Sequence, residues 1–254
     1  MKLANFLNYT ARSIYSYLNI NEKTMRFSEL LKSAGEHRFF FNGADGLLEG
    51  CLLVPDEIRK PYVAILGHPH SLQGGSMNNK VVTTMARALR ELHIPSLRFN
   101  FRGVENSEGE FDNGIGESAD MLCLARMWAD EVPRSKFIFA GFSFGAYVTY
   151  RAAAQWPHEL LISVAPAVDS NDYTCFAEIP PVWHILQGDN DEVVPLDKVL
   201  AFAARCTPTL PVHRFPDTGH FFHGKLLLLK EKLMSIITGC LSSRYYRDDT
   251  VNGL

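Results

Sequence analysis

The sequence predicts an α/β fold: a mostly parallel sheet, helices on both faces, and one antiparallel edge. Three observations carry this. From about residue 60 onward, short apolar runs bounded by turn residues alternate with longer stretches of helical apolar spacing. Before them, two strand-like runs flank a turn cluster, which is the pattern of a hairpin. The chain has 254 residues, of which 46% are hydrophobic and 21% charged. That length buries roughly 70–75% of the unfolded surface around one core without disulfides or metals. Strand–helix alternation requires right-handed crossovers, and these cover both faces of a parallel sheet.

The elements follow in order. Residues 3–18 place Leu3, Phe6, Leu7, Ala11, Ile14, Tyr17 and Leu18 on one helical stripe. They are expected to form a helical extension over residues 1–30. It would dock on a domain spanning 31–254 or serve as the arm of a homodimer. Asn5, Asn8, Arg12, Ser13 and Ser16 interrupt the apolar run, which argues against a secretory leader. Residues 37–41 and 47–54 read as strands joined by a turn rich in Asn, Asp and Gly. Further strands are expected over 62–66, 96–101, 137–140, 160–165, 182–187 and 212–215. Helices are expected over 79–92, 117–131, 146–155, 196–206 and 225–241.

Charge and composition exclude several functions. A formal net charge of −3 offers no basic excess for nucleic acid. The apolar run at 226–229 is far short of the roughly 20 residues that a span needs, so stable membrane insertion is not expected. The five cysteines, Cys51, Cys123, Cys175, Cys206 and Cys240, are scattered and form no CxxC pair. They build no zinc set, and a reducing cytoplasm with free thiols is the expected setting. Neither a P-loop nor a strand-linked GxGxxG occurs, so no nucleotide cofactor is expected.

Chemistry concentrates at Gly141-Phe142-Ser143-Phe144-Gly145, a G-x-S-x-G between an apolar strand and a helix. The glycines are steric: residues two before and two after the serine crowd each other on a sharp turn. That turn would lift the serine oxygen beyond the carboxyl ends of the strands, where α/β sheets bind ligands. A serine hydroxyl needs a base to take its proton, and on such sheets an acid and then a histidine follow in the chain. Of the later histidines, His213 sits within a strand and is expected to face outward. His220 follows the turn Asp217-Thr218-Gly219 at the carboxyl edge, and His223 lies where the next helix starts. His220 is the candidate base. For the acid, Asp189, Asp191 and Glu192 all follow the preceding strand, and position alone does not separate Asp189 from Asp191. The stretch does not fit a calcium loop, because Val193 and Val194 fall at a ligand and at the glycine position. His68-Pro69-His70 follows the strand at 62–66; no third metal ligand lies nearby in sequence.

Five segments together resemble a known family. They are residues 68–77 with His68-Pro69-His70 and Gly74-Gly75, Leu97 to Val104, Gly141 to Ala146, Gly188 to Pro195, and Gly219-His220-Phe221-Phe222. The sequence from about residue 37 to 240 is similar to small bacterial α/β hydrolases with an HPHPxxGG loop. The resemblance implies the α/β-hydrolase fold without a large lid and a Ser143–His220–Asp191 triad, with Asp191 chosen through the G-x-x-D-x-x-V pattern. It further implies an oxyanion hole from the backbone N–H groups of Phe144 and His70, and hydrolysis of an ester-like bond in a small-molecule acyl substrate. Two positions depart from the family pattern. Ser71 stands where proline is common, and Glu105 replaces a glycine, so the loop at 104–116 is expected to differ in shape. Its acids, Glu105, Glu108, Glu110 and Asp112, are expected at the rim of the site.

Overall fold

In the computed structural model, residues 26–251 are described. The helix expected over 3–18, and with it the dimer arm, lies outside them. The described chain runs α1 (Phe27–Leu30), β1 (Gly35–Gly43), β2 (Gly46–Val54), β3 (Tyr62–Gly67), α2 (Lys80–Glu91), β4 (Ser96–Phe99) and α3 (Ile115–Glu131). It continues through β5 (Lys136–Phe142), α4 (Phe144–Ala153), β6 (Leu160–Val164), β7 (Trp183–Gly188), α5 (Leu196–Arg205), β8 (Val212–Phe215) and α6 (Leu226–Val251). A short 3-10 turn, Ser71–Gln73, follows β3.

Eight strands form one sheet in the order β1-β2-β4-β3-β5-β6-β7-β8. Strand β2 pairs antiparallel with both β1 and β4, and every pair from β4 to β8 is parallel. This is the α/β-hydrolase fold that the resemblance implies. The central strands are buried on both faces, so they read as continuous apolar runs. In β5, Phe137 and Phe139 face one layer, while Ile138, Ala140 and Phe142 face the other. The first layer packs Trp128 of α3, Val148 and Tyr150 of α4, and Phe202 of α5. The second packs Val81 and Met85 of α2 against Leu229 and Leu233 of α6. Each such side chain contributes about 1.5–3 kcal/mol on burial. Phe27 of α1 belongs to the first layer, 5.3 Å from the Phe39 ring and 5.1 Å from Trp128.

Observed boundaries differ from the expected ones where side chains take over backbone groups. Strand β4 stops at Phe99 because the N–H of Phe101 donates to His68 Nε2 at 2.9 Å. Helix α3 starts two residues early, where the Glu117 carboxylate accepts the N–H groups of Asp112 and Gly114 at 2.9 and 2.8 Å. Helix α6 runs past residue 241 to Val251. Among the described residues, no helix is long and apolar enough to cross a membrane.

The topology decides where a ligand can sit. The chain leaves β3 for β4 on one side and returns to β5 on the other. The connections therefore diverge at the carboxyl ends of β3 and β5, and such a switch point opens a crevice.

Candidate active site

Ser143 occupies the turn from β5 to α4, with φ 55° and ψ −119°. A non-glycine residue there stores about 1–3 kcal/mol of backbone strain, which the surroundings must hold. They hold it by close backbone approach. A Cβ on Gly141 would lie 2.1 Å from the Gly145 carbonyl oxygen, and one on Gly145 would lie 2.4 Å from the Gly67 carbonyl carbon. Strands β3 and β5 and the start of α4 can meet only because these positions lack side chains. The Ser143 N–H donates to the Val164 carbonyl at 2.9 Å, which ties the turn to β6.

The structure brings Ser143, His220 and Asp191 together from three separate loops. His220 Nε2 lies 3.1 Å from Ser143 Oγ, and His220 Nδ1 lies 2.9 Å from Asp191 Oδ2. The imidazole packs against the rings of Phe142 and Phe221, 5.0 and 5.1 Å away. All three side chains belong to buried residues. Asp191 is held on every side. Its Oδ1 accepts the N–H groups of Val193 and Val194 at 2.9 and 2.7 Å, and its Oδ2 accepts Gln187 Nε2 at 3.0 Å. Burial alone would raise the Asp191 carboxyl, but the bonds from His220, Val194 and Val193 outweigh it and leave the carboxyl below its ordinary value.

The two aspartates that position left unseparated have different surroundings. Asp189 is turned away into a two-pronged ion pair with Arg214, at 2.9 Å on both oxygens. Glu192 accepts the backbone N–H of His220 at 3.3 Å, so it braces the loop rather than the ring. Gln187 and Glu192 were not singled out from sequence as supports, and only their proximity to Asp191 could have suggested it. His223 stacks on Phe221, 5.9 Å away. His213, expected to face outward, is half-buried with its Nε2 3.0 Å from His184 Nδ1.

The two histidines after β3 diverge completely. His68 is wholly buried, stacked 3.9 Å from Phe101, and donates from Nδ1 to the Pro69 carbonyl at 2.7 Å. Burial pushes its pKa down to about 3, so the ring is neutral and serves as a strut between β3 and β4. His70 faces a cavity of about 170 Å³ beside Ser143 and Phe144. Among the described residues, neither the His70 N–H nor the Phe144 N–H has a hydrogen-bond acceptor. Phe144 opens α4, where first-turn N–H groups have no partner within the helix. Two larger grooves lie elsewhere: one at the opposite end of the sheet by Trp156 and Pro181, the other beneath Phe176 and Phe202.

The acidic rim expected from the loop at 104–116 is corrected for two of its four acids, Glu105 and Glu108. Glu105 accepts Asn100 Nδ2 at 2.8 Å, and Glu108 accepts the Leu47 N–H at 2.8 Å. Both carboxylates are spent on holding the loop, which presents Phe111 and Asn113 to the cavity instead. Glu105 has φ 51°, so it takes up the left-handed backbone that a glycine would adopt there.

No family model matches the sequence. The chain is 35% identical over 167 residues to the uncharacterized protein RP471 of Rickettsia prowazekii, covering 64% of this chain and 70% of that one. Among solved structures it is similar to XC6422 of Xanthomonas campestris, described as an α/β serine hydrolase without a lid. That match has 39% identity and a TM-score of 0.79, and covers 84% of this chain and 96% of that one. An α/β serine hydrolase homologue from Coxiella burnetii matches at 40% identity and TM-score 0.76, over 80% and 98% of the two chains.

Proposed function

This chain belongs to the α/β serine hydrolases, and from that premise we propose that it cleaves an ester-like bond, carboxylester or thioester, through an acyl-enzyme on Ser143. One observation carries the proposal: the unbroken series from Ser143 Oγ through both nitrogens of His220 to the Asp191 carboxylate. His220 Nε2 takes the hydroxyl proton as Oγ attacks the carbonyl carbon. Asp191 fixes the tautomer in which Nδ1 carries a proton and stabilises the imidazolium that forms. The N–H groups of Phe144 and His70 meet the oxyanion; losing one such donor typically raises a barrier by about 2.7–4 kcal/mol. The imidazolium then protonates the leaving group. Water, deprotonated by the same nitrogen, attacks the acyl-enzyme and releases the acid.

No helix or strand forms between β6 and β7, so that connection supplies no helical lid among the described residues. That favours small acyl substrates in solution over lipid interfaces. We place the reaction in a reducing cytoplasm, where the five free thiols persist. The test is turnover of short p-nitrophenyl esters and thioesters by wild type and Ser143→Ala. The variant should keep its circular dichroism and lose turnover by on the order of 10⁴-fold or more. Equal rates in the two proteins would overturn the proposal.

A further inference from the structure

The cavity beside Ser143 has a volume and a chemistry of its own. It holds about 170 Å³. At about 30 Å³ per water-sized group, that is room for five or six non-hydrogen atoms. Which part of a substrate enters it follows from His220. The leaving group must lie against the imidazole that protonates it, and His220 is not in the cavity wall. The oxyanion takes the N–H groups of Phe144 and His70. The acyl group is what remains to fill the cavity.

The walls are more polar than a hydrocarbon chain would need. Gln73, Asn113, Ser170 and Asn171 line them together with Phe111 and Val193. His70 is the most specifically placed group. Its ring lies between Phe111 and Phe144, with centroids 4.9 and 5.0 Å away. Its Nδ1 accepts the Leu72 N–H at 3.3 Å, which leaves the proton on Nε2. Burial lowers the His70 pKa more than Glu117 raises it, so the ring is neutral and carries that single proton. Among the described residues, Nε2 has no hydrogen-bond partner. No lysine or arginine stands in the wall to receive a carboxylate. An ammonium group would meet the Nε2–H donor head on.

Resting on the hydrolase reading above, we infer that this cavity selects a short, neutral acyl group bearing an oxygen acceptor, and that His70 Nε2–H donates to that oxygen. His70 is then a specificity residue through its side chain as well as an oxyanion donor through its backbone.

The test compares p-nitrophenyl esters in which one oxygen replaces one methylene: methoxyacetyl against butanoyl, and 3-methoxypropanoyl against pentanoyl. Each kcat/KM is divided by the ester's own hydroxide-catalysed rate, which removes intrinsic reactivity. Wild type should prefer at least one ether ester by about tenfold, the scale of one neutral hydrogen bond. Decanoyl ester should fall below all four. His70→Phe keeps the stacking and removes the donor, and should bring the ratio close to one. His70→Gln restores a donor and should recover part of the preference. Ser143-dependent turnover with no ether preference in wild type would overturn this inference and leave the hydrolase reading standing, and so would a preference untouched by His70→Phe. Absence of Ser143-dependent turnover on every ester would remove both.

Discussion

The turn at Ser143 and the loop between β4 and α3 face one cavity, yet they are held by opposite means. The turn is held by exclusion. Gly67, Gly141 and Gly145 let three backbones come within a distance that any Cβ would break. The loop is held by charge. Arg102 Nε and Nη2 bind the two oxygens of Asp120 at 2.9 Å each, and Nη2 reaches the Gly116 carbonyl at 3.2 Å. The bond from Asp120 holds the Arg102 guanidinium above its ordinary pKa. Glu117 and Glu105 add carboxylates that accept backbone and amide N–H groups. A steric fit keeps Ser143 in one strained conformation with nothing to titrate or screen. A network of charged hydrogen bonds can instead shape a rim from polar residues without asking for a large core.

This contrast can be broken by substitutions on either side, the largest effect first. Gly141→Ala puts a methyl group against the Gly145 carbonyl and must displace the turn. Turnover should fall by about a hundredfold or more, since reacting groups tolerate little misplacement. Steady-state kinetics on the folded variant checks it. Asp120→Ala strips the buried Arg102 of its two-pronged partner, leaving the Gly116 carbonyl and a long 3.9 Å contact to Asp45, and should cost about 3 kcal/mol of stability in urea unfolding. Its folded fraction should lose far less turnover than Gly141→Ala. His68 sharpens the comparison through pH. Its pKa is about 6.5 when unfolded and about 3 when folded, so the unfolded chain binds the extra proton between those values. Its contribution is complete above pH 6.5 and is lost as pH falls toward 3. His68→Gln should flatten that limb of the stability–pH curve, whatever its cost at neutral pH. Smallest is Asp189→Asn. It loosens an exposed pair with Arg214 and should leave the urea midpoint nearly unchanged, with kcat retained.

Much of this was legible in the sequence, and the illegible parts share a cause. Strands β3, β5 and β6 announced themselves because a doubly buried strand reads as a near-continuous apolar run, and β1 because Phe39 and Phe41 alternate with less buried residues. Ser143 was legible because its glycine neighbours have a steric purpose. Asp189 and Asp191 could not be separated by position, because what separates them is Arg214, 25 residues beyond Asp189. Glu105 and Glu108 of the loop at 104–116 looked like a solvated rim because a sequence does not show which donor folds back onto a carboxylate: Asn100, just past β4, for one, and the Leu47 N–H of β2 for the other. His68 and His70 are two residues apart and carry the same ring. Only the Phe101 N–H above one and the cavity before the other tell a buried strut from a cavity wall.

The central claim is that the Ser143 hydroxyl is activated through His220 by Asp191. The most direct measurement is the rate of fluorophosphonate labelling, with the adduct located by peptide mass spectrometry, in wild type, Asp191→Asn and Asp189→Asn. The adduct should sit on Ser143, form at wild-type rate in Asp189→Asn, and slow by on the order of 10⁴-fold in Asp191→Asn. An adduct on another residue, or labelling that survives Asp191→Asn and fails in Asp189→Asn, would contradict it.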